Sequence, residues 1–176
     1  MTVALNRRRI IHLLSLLNER LRSDDEQGEL YLVGGAVMCL VLNARESTQD
    51  IDSLFRPAAT IRKHAKCIAK AEDLPDDWLN DGVKGFLSPE ATWDAYLHLS
   101  HLKVLTASSE YLLAMKCLAM RLGGEFHDEA DVRFLLRSLN LTNYEKTLSV
   151  IGKYYPLTRF PAKSRYALEE LLESDD

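Results

Sequence analysis

Two aspartates, Asp50 and Asp52, flank a single apolar residue, Ile51, and follow a glycine pair, Gly34-Gly35, after a short apolar and polar spacer. On a strand, residues two apart face the same side, so both carboxylates can share one divalent cation while Ile51 turns toward a core. Two like charges that close repel, and Mg²⁺, lysine or arginine offsets the repulsion. A glycine pair between a strand and a helix lets the backbone approach a phosphate, with free amides at the helix start aimed at the anion. Each pattern alone has an ordinary alternative: glycine serves many turns for geometry only, and a lone Asp-x-Asp is often a solvated strand end.

The elements that must position these groups follow from periodicity. Ile10, Leu13, Leu14, Leu17 and Leu21 recur at helical spacing across residues 6–22, which predicts an amphipathic helix. Leu30-Tyr31-Leu32-Val33 reads as a buried strand, Gly34-Gly35 breaks it, and residues 36–44 resume as a helix. Residues 50–55 suit a second strand and residues 60–74 a second amphipathic helix. Pro75, Gly82, Gly85 and Pro89 punctuate residues 75–96, where loops with one or two helical turns are expected, and residues 98–106 form a further strand. From residue 110 on, four helices are expected over 110–122, 128–139, 143–154 and 162–172. The alternation predicts an α/β (α+β) fold, a small mixed sheet flanked by helices with a C-terminal helical lobe. Residues 1–106 make the α/β lobe and residues 107–176 a helical lobe packed on it as one compact unit.

Taken together, Gly34-Gly35, the spacer helix and Thr48-Gln49-Asp50-Ile51-Asp52 resemble the signature of the polymerase β-type nucleotidyltransferase superfamily. Downstream, residues 109–116 (Ser-Glu-Tyr-Leu-Leu-Ala-Met-Lys) and 127–132 (His-Asp-Glu-Ala-Asp-Val) resemble the Ala-x-Lys and Asp-x-x-Asp motifs of AbiEii-type nucleotidyltransferases of toxin-antitoxin and phage-defence systems. The resemblance implies a nucleotidyltransferase-like lobe in which Gly34 and Gly35 hold a nucleoside triphosphate and Asp50 and Asp52 hold Mg²⁺. Thr48, or Ser47 beside it, would add a hydroxyl to the phosphate network, a turn or capping role being the alternative. Lys116 would meet the phosphates, and Asp131 would act on Lys116 or on the acceptor. RNA, such as the end of a tRNA, is the implied acceptor, and an antitoxin the implied protein partner.

One departure stands out. Such enzymes usually bear a third carboxylate on a later strand, and the strand expected at 98–106 carries Ser100, His101 and Lys103 but no acid. Glu90, Asp94, Glu110 or an imidazole base at His101 are the available substitutes. The rival expectation is therefore a catalytically degenerate protein of the same fold that binds a nucleotide or a partner, and a third is an enzyme of the aminoglycoside-modifying kind.

Composition narrows the classes. With 47% hydrophobic and 27% charged residues over 176 positions, the chain has the balance of an ordinary globular protein. A formal charge of −4 supplies no overall attraction to nucleic acid, so an RNA contact needs a local basic patch. Arg62, Lys63, Lys66 and Lys70 on one helical side, with Arg56, are candidates for one, and a solvated helix face is the alternative. Trp78, Trp93, Tyr154 and Tyr155 serve either as base-stacking groups or as core anchors. Cys39, Cys67 and Cys117 lack the paired spacing of a zinc site and are expected as reduced, mostly buried thiols. No signal peptide or bilayer-spanning run is evident, so no membrane partner and a cytoplasmic location are expected.

Overall fold

A computed structural model of the chain describes residues 3–174, and these divide into two compact units. One runs to Gly85 and resumes over Trp93–Ala107; the other takes Phe86–Thr92 and the described residues from Ser108 onward. The expected α/β class is present, as a five-stranded mixed sheet, a two-stranded sheet and seven α-helices among the described residues.

The first unit opens with β1 (Leu5–Asn6) and α1 (Arg7–Ser23), and the Asn6 side chain caps the helix by accepting from the Arg9 amide at 2.9 Å. Its inner stripe of Ile10, Leu13, Leu14, Leu17 and Leu21 is fully buried. Next come β2 (Gly28–Leu32), α2 (Gly34–Leu40), β3 (Ser47–Thr48), β4 (Ile51–Arg56), α3 (Ala58–Glu72), β5 (Leu79–Asn80), β6 (Trp93–His98) and β7 (Leu102–Ala107). The large sheet has the order β5-β4-β2-β7-β6, with β2 antiparallel to β4 and parallel to β7. The small sheet pairs β1 with β3.

Strand alternation sorts the side chains. Leu30 and Leu32 are fully buried, Leu30 opposite Phe55 and Val104, and Leu32 opposite Ser53 and Thr106. This face lies under α1 and α3. At Gly28, which has the same parity, a Cβ would come within 2.7 Å of Ile61 Cδ1 and 3.0 Å of Leu21 Cδ1, so glycine permits the close approach of both helices. Trp78 seals the flank of α3, wholly buried, with its indole N–H donating to the Ala65 carbonyl at 2.9 Å. The opposite parity places Asp52, Leu54 and Arg56 beside Glu29 and Tyr31 on the other face, where all five are half-buried or exposed.

The second unit holds α4 (Ser109–Leu118), α5 (Asp128–Ser138), α6 (Tyr144–Ile151) and α7 (Ala162–Glu173). Ser108 and Asn143 cap α4 and α6 through their side chains. Tyr111, Tyr154, Tyr155 and Phe160 cluster at its centre, with ring centroids of Tyr111 and Tyr154 5.2 Å apart.

Several expectations differ from what is observed. Residues 75–96 contain β5 and most of β6, where loops were expected, because two-residue and half-exposed edge strands leave no alternating apolar pattern. The strand expected at 98–106 is instead a hairpin, β6 and β7 turning at Ser100 and His101. The helices expected to reach 44, 122 and 154 stop at Leu40, Leu118 and Ile151. Phe86–Thr92 belongs with the helical unit because the Ser88 amide donates to the Tyr111 hydroxyl at 3.0 Å and the Tyr155 hydroxyl donates to the Phe86 carbonyl at 2.6 Å.

Leu30, fully buried on the central strand, sets a simple test of this core. Leu30→Ala should cost about 2–5 kcal/mol in urea denaturation at unchanged m-value, and a loss under about 1 kcal/mol would contradict the packing described.

Candidate functional site

The glycine pair sits where β2 ends and α2 begins. Gly34 takes φ +65°, a left-handed conformation that disfavours a side chain, and a Cβ there would lie 3.3 Å from Asp52 Oδ2. At Gly35 a Cβ would lie 2.6 Å from Thr48 Oγ1 and 2.9 Å from Arg45 Nη1. The turn is thus a cradle that side chains would fill, with Asp52 against its first glycine and Thr48 and Arg45 against its second. Backbone pairing holds the two segments in place, the Val33 amide donating to the Asp52 carbonyl at 3.0 Å.

Asp52 lies on β4, but Asp50 does not: the strand begins at Ile51, whose amide donates to the Trp78 carbonyl at 2.7 Å. Strand alternation alone therefore does not align the two carboxylates, contrary to the expectation of an Asp-x-Asp pair on a strand. Asn80 does the joining. It pairs with Asp52 in the parallel register of β4 and β5, which puts the two on one face, and its Nδ2 donates to Asp50 Oδ2 at 3.3 Å. Burial pushes the Asp50 carboxyl above the ordinary carboxylate range; the charge of Asp52 adds to this, the Asn80 amide opposes it, and Asp77 adds a smaller push. Carboxylates whose ionised forms disfavour one another are a donor set suited to a hard divalent cation.

The first unit therefore brings together five residues picked from sequence, Gly34, Gly35, Thr48, Asp50 and Asp52. Arg45, Asn80 and Asp77 are additions. No short motif marks Arg45 or Asn80: one lies in a loop and the other on a two-residue strand, and only pairing brings them to the site.

The substitutes for a third acid or base fare differently. Asp94 pairs with Thr106, Thr106 with Leu32, and Leu32 with Ser53. Ser53 alternates with Asp52, so Asp94 lies on the other face of the sheet. His101 stands at the far end of the strands, its carbonyl accepting from the Gly28 amide at 2.9 Å, roughly 16 Å along β2 from the glycine turn. Glu90 and Glu110 belong to the second unit, where Glu110 meets the Lys153 ammonium at 3.3 Å.

Lys116 and Asp131 are also in the second unit and meet each other, Lys116 Nζ lying 2.8 Å from Asp131 Oδ2 and 3.6 Å from Asp128 Oδ1. The three side chains are 12%, 4% and 6% exposed, so this is a buried ion cluster. Asp128 accepts from both Nε and the backbone amide of Arg121 at 2.9 Å. Burial works to raise the Asp128 pKa, but Arg121 and Lys116 outweigh it and hold the carboxyl below its ordinary value.

The expected basic strip is divided. Arg62 pairs with Asp81 at 2.9 Å and Lys63 with Asp24 at 3.1 Å, while Arg56 lies over the Tyr31 ring on the sheet face opposite α3. Trp78, Tyr154 and Tyr155 are buried anchors, whereas Trp93 packs edge-on against Tyr31 on the half-exposed face, centroids 5.2 Å apart. Cys39 and Cys117 are buried and Cys67 is exposed, and burial pushes the Cys117 thiol up to about 12.

A second set of metal-type donors was not anticipated. Asp24, Glu26 and His64 place one ligand atom each within 4.8 Å of one another, His64 Nε2 lying 2.9 Å from Glu26 Oε2. Lys63 Nζ already lies 3.1 Å from Asp24 and 3.5 Å from Glu26 and offsets part of their charge. Asp24, Lys63 and His64 edge an open groove of about 560 Å³ between α1 and α3, lined also by Leu16, Arg20 and Cys67.

Two outcomes check this geometry. Gly34→Ala should lower stability by about 1–2 kcal/mol through its backbone conformation alone, read from urea midpoints. For Asp128, a depressed pKa contributes stability that is present above its unfolded value, near pH 4, and is lost as pH falls through the folded value. Asp128→Asn should therefore be less stable than wild type by about 2 kcal/mol at pH 7, with the gap narrowing as pH falls below that unfolded value. A gap that stays constant down to pH 2 would contradict the assignment.

Among the described residues no helix is long and apolar enough to cross a membrane. Comparisons of the chain with protein-family models, curated proteins and solved structures find no match.

Proposed function

We propose that the first unit is a nucleotidyltransferase centre that takes a nucleoside triphosphate with Mg²⁺. The observation that carries this is a glycine turn whose missing Cβ leaves room beside Asp52, with Asn80 paired to Asp52 and bonded to Asp50 next to it. In the reaction, an acceptor hydroxyl oxygen attacks the α-phosphorus and gives up its proton to solvent, the bond from that phosphorus to the pyrophosphate oxygen breaks, and pyrophosphate leaves. Mg²⁺, when bound, neutralises phosphate charge and orients the groups for in-line displacement. Asp50 and Asp52 would hold it. Gly34 and Gly35 would let the phosphates approach the backbone, and Thr48 and Arg45, both against Gly35, would supply a hydroxyl and a cation to them. From the AbiEii-type resemblance we further propose Lys116 and Asp131 as contributors to the reaction, RNA such as a tRNA end as the acceptor, and a cytoplasmic toxin-antitoxin setting with a cognate antitoxin.

A second reading is a degenerate member that binds nucleotide without transfer. It is favoured by the positions of Asp94, on the opposite sheet face, and His101, at the far end of the strands, since neither can serve as the base beside Asp50 and Asp52.

Incubation with Mg²⁺, each α-labelled nucleoside triphosphate and total RNA should label RNA, and Asp50→Ala/Asp52→Ala should reduce labelling at least 100-fold. Nucleotide binding without labelling of any acceptor would support the degenerate reading. Neither binding nor labelling would defeat both.

A further inference from the structure

We propose that Asn80 is a positioning residue of the Asp50–Asp52 cation site, acting through Asp50; this rests on the proposed cation role of that pair. Three contacts hold its amide. Oδ1 accepts from the Gly82 amide at 3.2 Å, Nδ2 donates to the Asp77 carbonyl at 3.2 Å, and Nδ2 also donates to Asp50 Oδ2 at 3.3 Å.

These partners settle which end of the amide faces which way. The Gly82 N–H requires an acceptor and the Asp77 carbonyl requires a donor, so an inverted amide would lose both bonds and turn its oxygen against the Asp50 carboxylate. The side chain is therefore committed to donating toward Asp50. Its backbone is committed as well, because β5 pairs in parallel with β4 and sets Asn80 opposite Asp52.

Asp50 needs such a partner. It precedes β4 and so lacks the pleat that orients Asp52. A hydrogen bond to Oδ2 restricts rotation of the carboxylate and leaves Oδ1 for a cation shared with Asp52. An aspartate at position 80 would bring a third negative charge beside two others, whereas an amide supplies a donor without adding charge. Groups that orient a metal's ligands in this way typically change metal affinity 10- to 100-fold when removed.

The test uses the full chain and Mn²⁺ as the probe, with affinity read by titration of the Mn²⁺ paramagnetic signal, and thermal midpoints recorded in parallel. Asn80→Ala should weaken Mn²⁺ binding at least 10-fold. Asn80→Ser keeps a hydroxyl for the Gly82 amide but is too short to reach Asp50, so it should show the same loss with the turn preserved. In an Asp50→Asn background, where the anionic acceptor is gone, Asn80→Ala should cause no further loss.

Equal Mn²⁺ affinity for wild type, Asn80→Ala and Asn80→Ser would overturn the role of Asn80 while leaving the cation site standing. An additional loss of the same size in the Asp50→Asn background would also overturn it, since Asn80 would then not act through Asp50. No Mn²⁺ binding by wild-type protein would overturn the cation site itself, and Asn80's role with it.

Discussion

The pairing of β4 with β2 constrains the whole first unit. Residues 53–56 of β4 each stand opposite a fixed partner on β2, and Ile51 and Asp52 opposite one on β5, so Ile51, Ser53 and Phe55 are committed to the face under α1 and α3, and Asp52 is committed to the other. A slip of one residue would drive Asp52 into a core of Leu30, Leu32 and Val104 and expose Phe55. Burying an unpaired carboxylate there costs more than the sheet can offset, so the apolar residues of β4 set the register and the charged one follows. The acid is thereby placed at the glycine turn, where no side chain competes with it for space.

That logic explains what could be seen in the sequence. Ile10 to Leu21 and Ile61 to Ala69 carry a helical period, and Leu30-Tyr31-Leu32 next to Gly34-Gly35 announces a strand and a turn, so α1, β2, the glycine turn and α3 were legible. Asp50 and Asp52 stood out by type and spacing. Asn80 and Arg45 did not, because their significance comes from pairing between β4 and β5 and from the approach of a loop to Gly35, neither of which leaves a local pattern. β6 was hidden for a related reason. It is an edge strand interrupted by a bulge between Ala95 and Leu97, and Asp94, Ala95 and His98 on it are exposed, so neither period two nor a continuous apolar run survives.

The second unit uses charge differently. Lys116, Asp128 and Asp131 are nearly excluded from water, and their mutual attraction is set against a large desolvation cost. Such a cluster contributes little net stability compared with apolar residues of the same volume, yet it penalises any arrangement of α4 and α5 that separates its members. Asp128 has a second task, accepting the Arg121 amide after α4 has ended, so one carboxylate ties the connection between the helices to the ion pair.

The chain crosses between its units three times, at Gly85, at Thr92 and at Ala107. Order of synthesis then matters. β7, a parallel neighbour of the central strand β2, leaves the ribosome only after Phe86–Thr92 has appeared, and that segment must wait for Tyr111, Tyr154 and Tyr155 before its polar groups are satisfied. Neither unit is contiguous in the polypeptide, so no single cut releases either one whole, and a nascent chain carries unsatisfied surface of one unit while the other is completed.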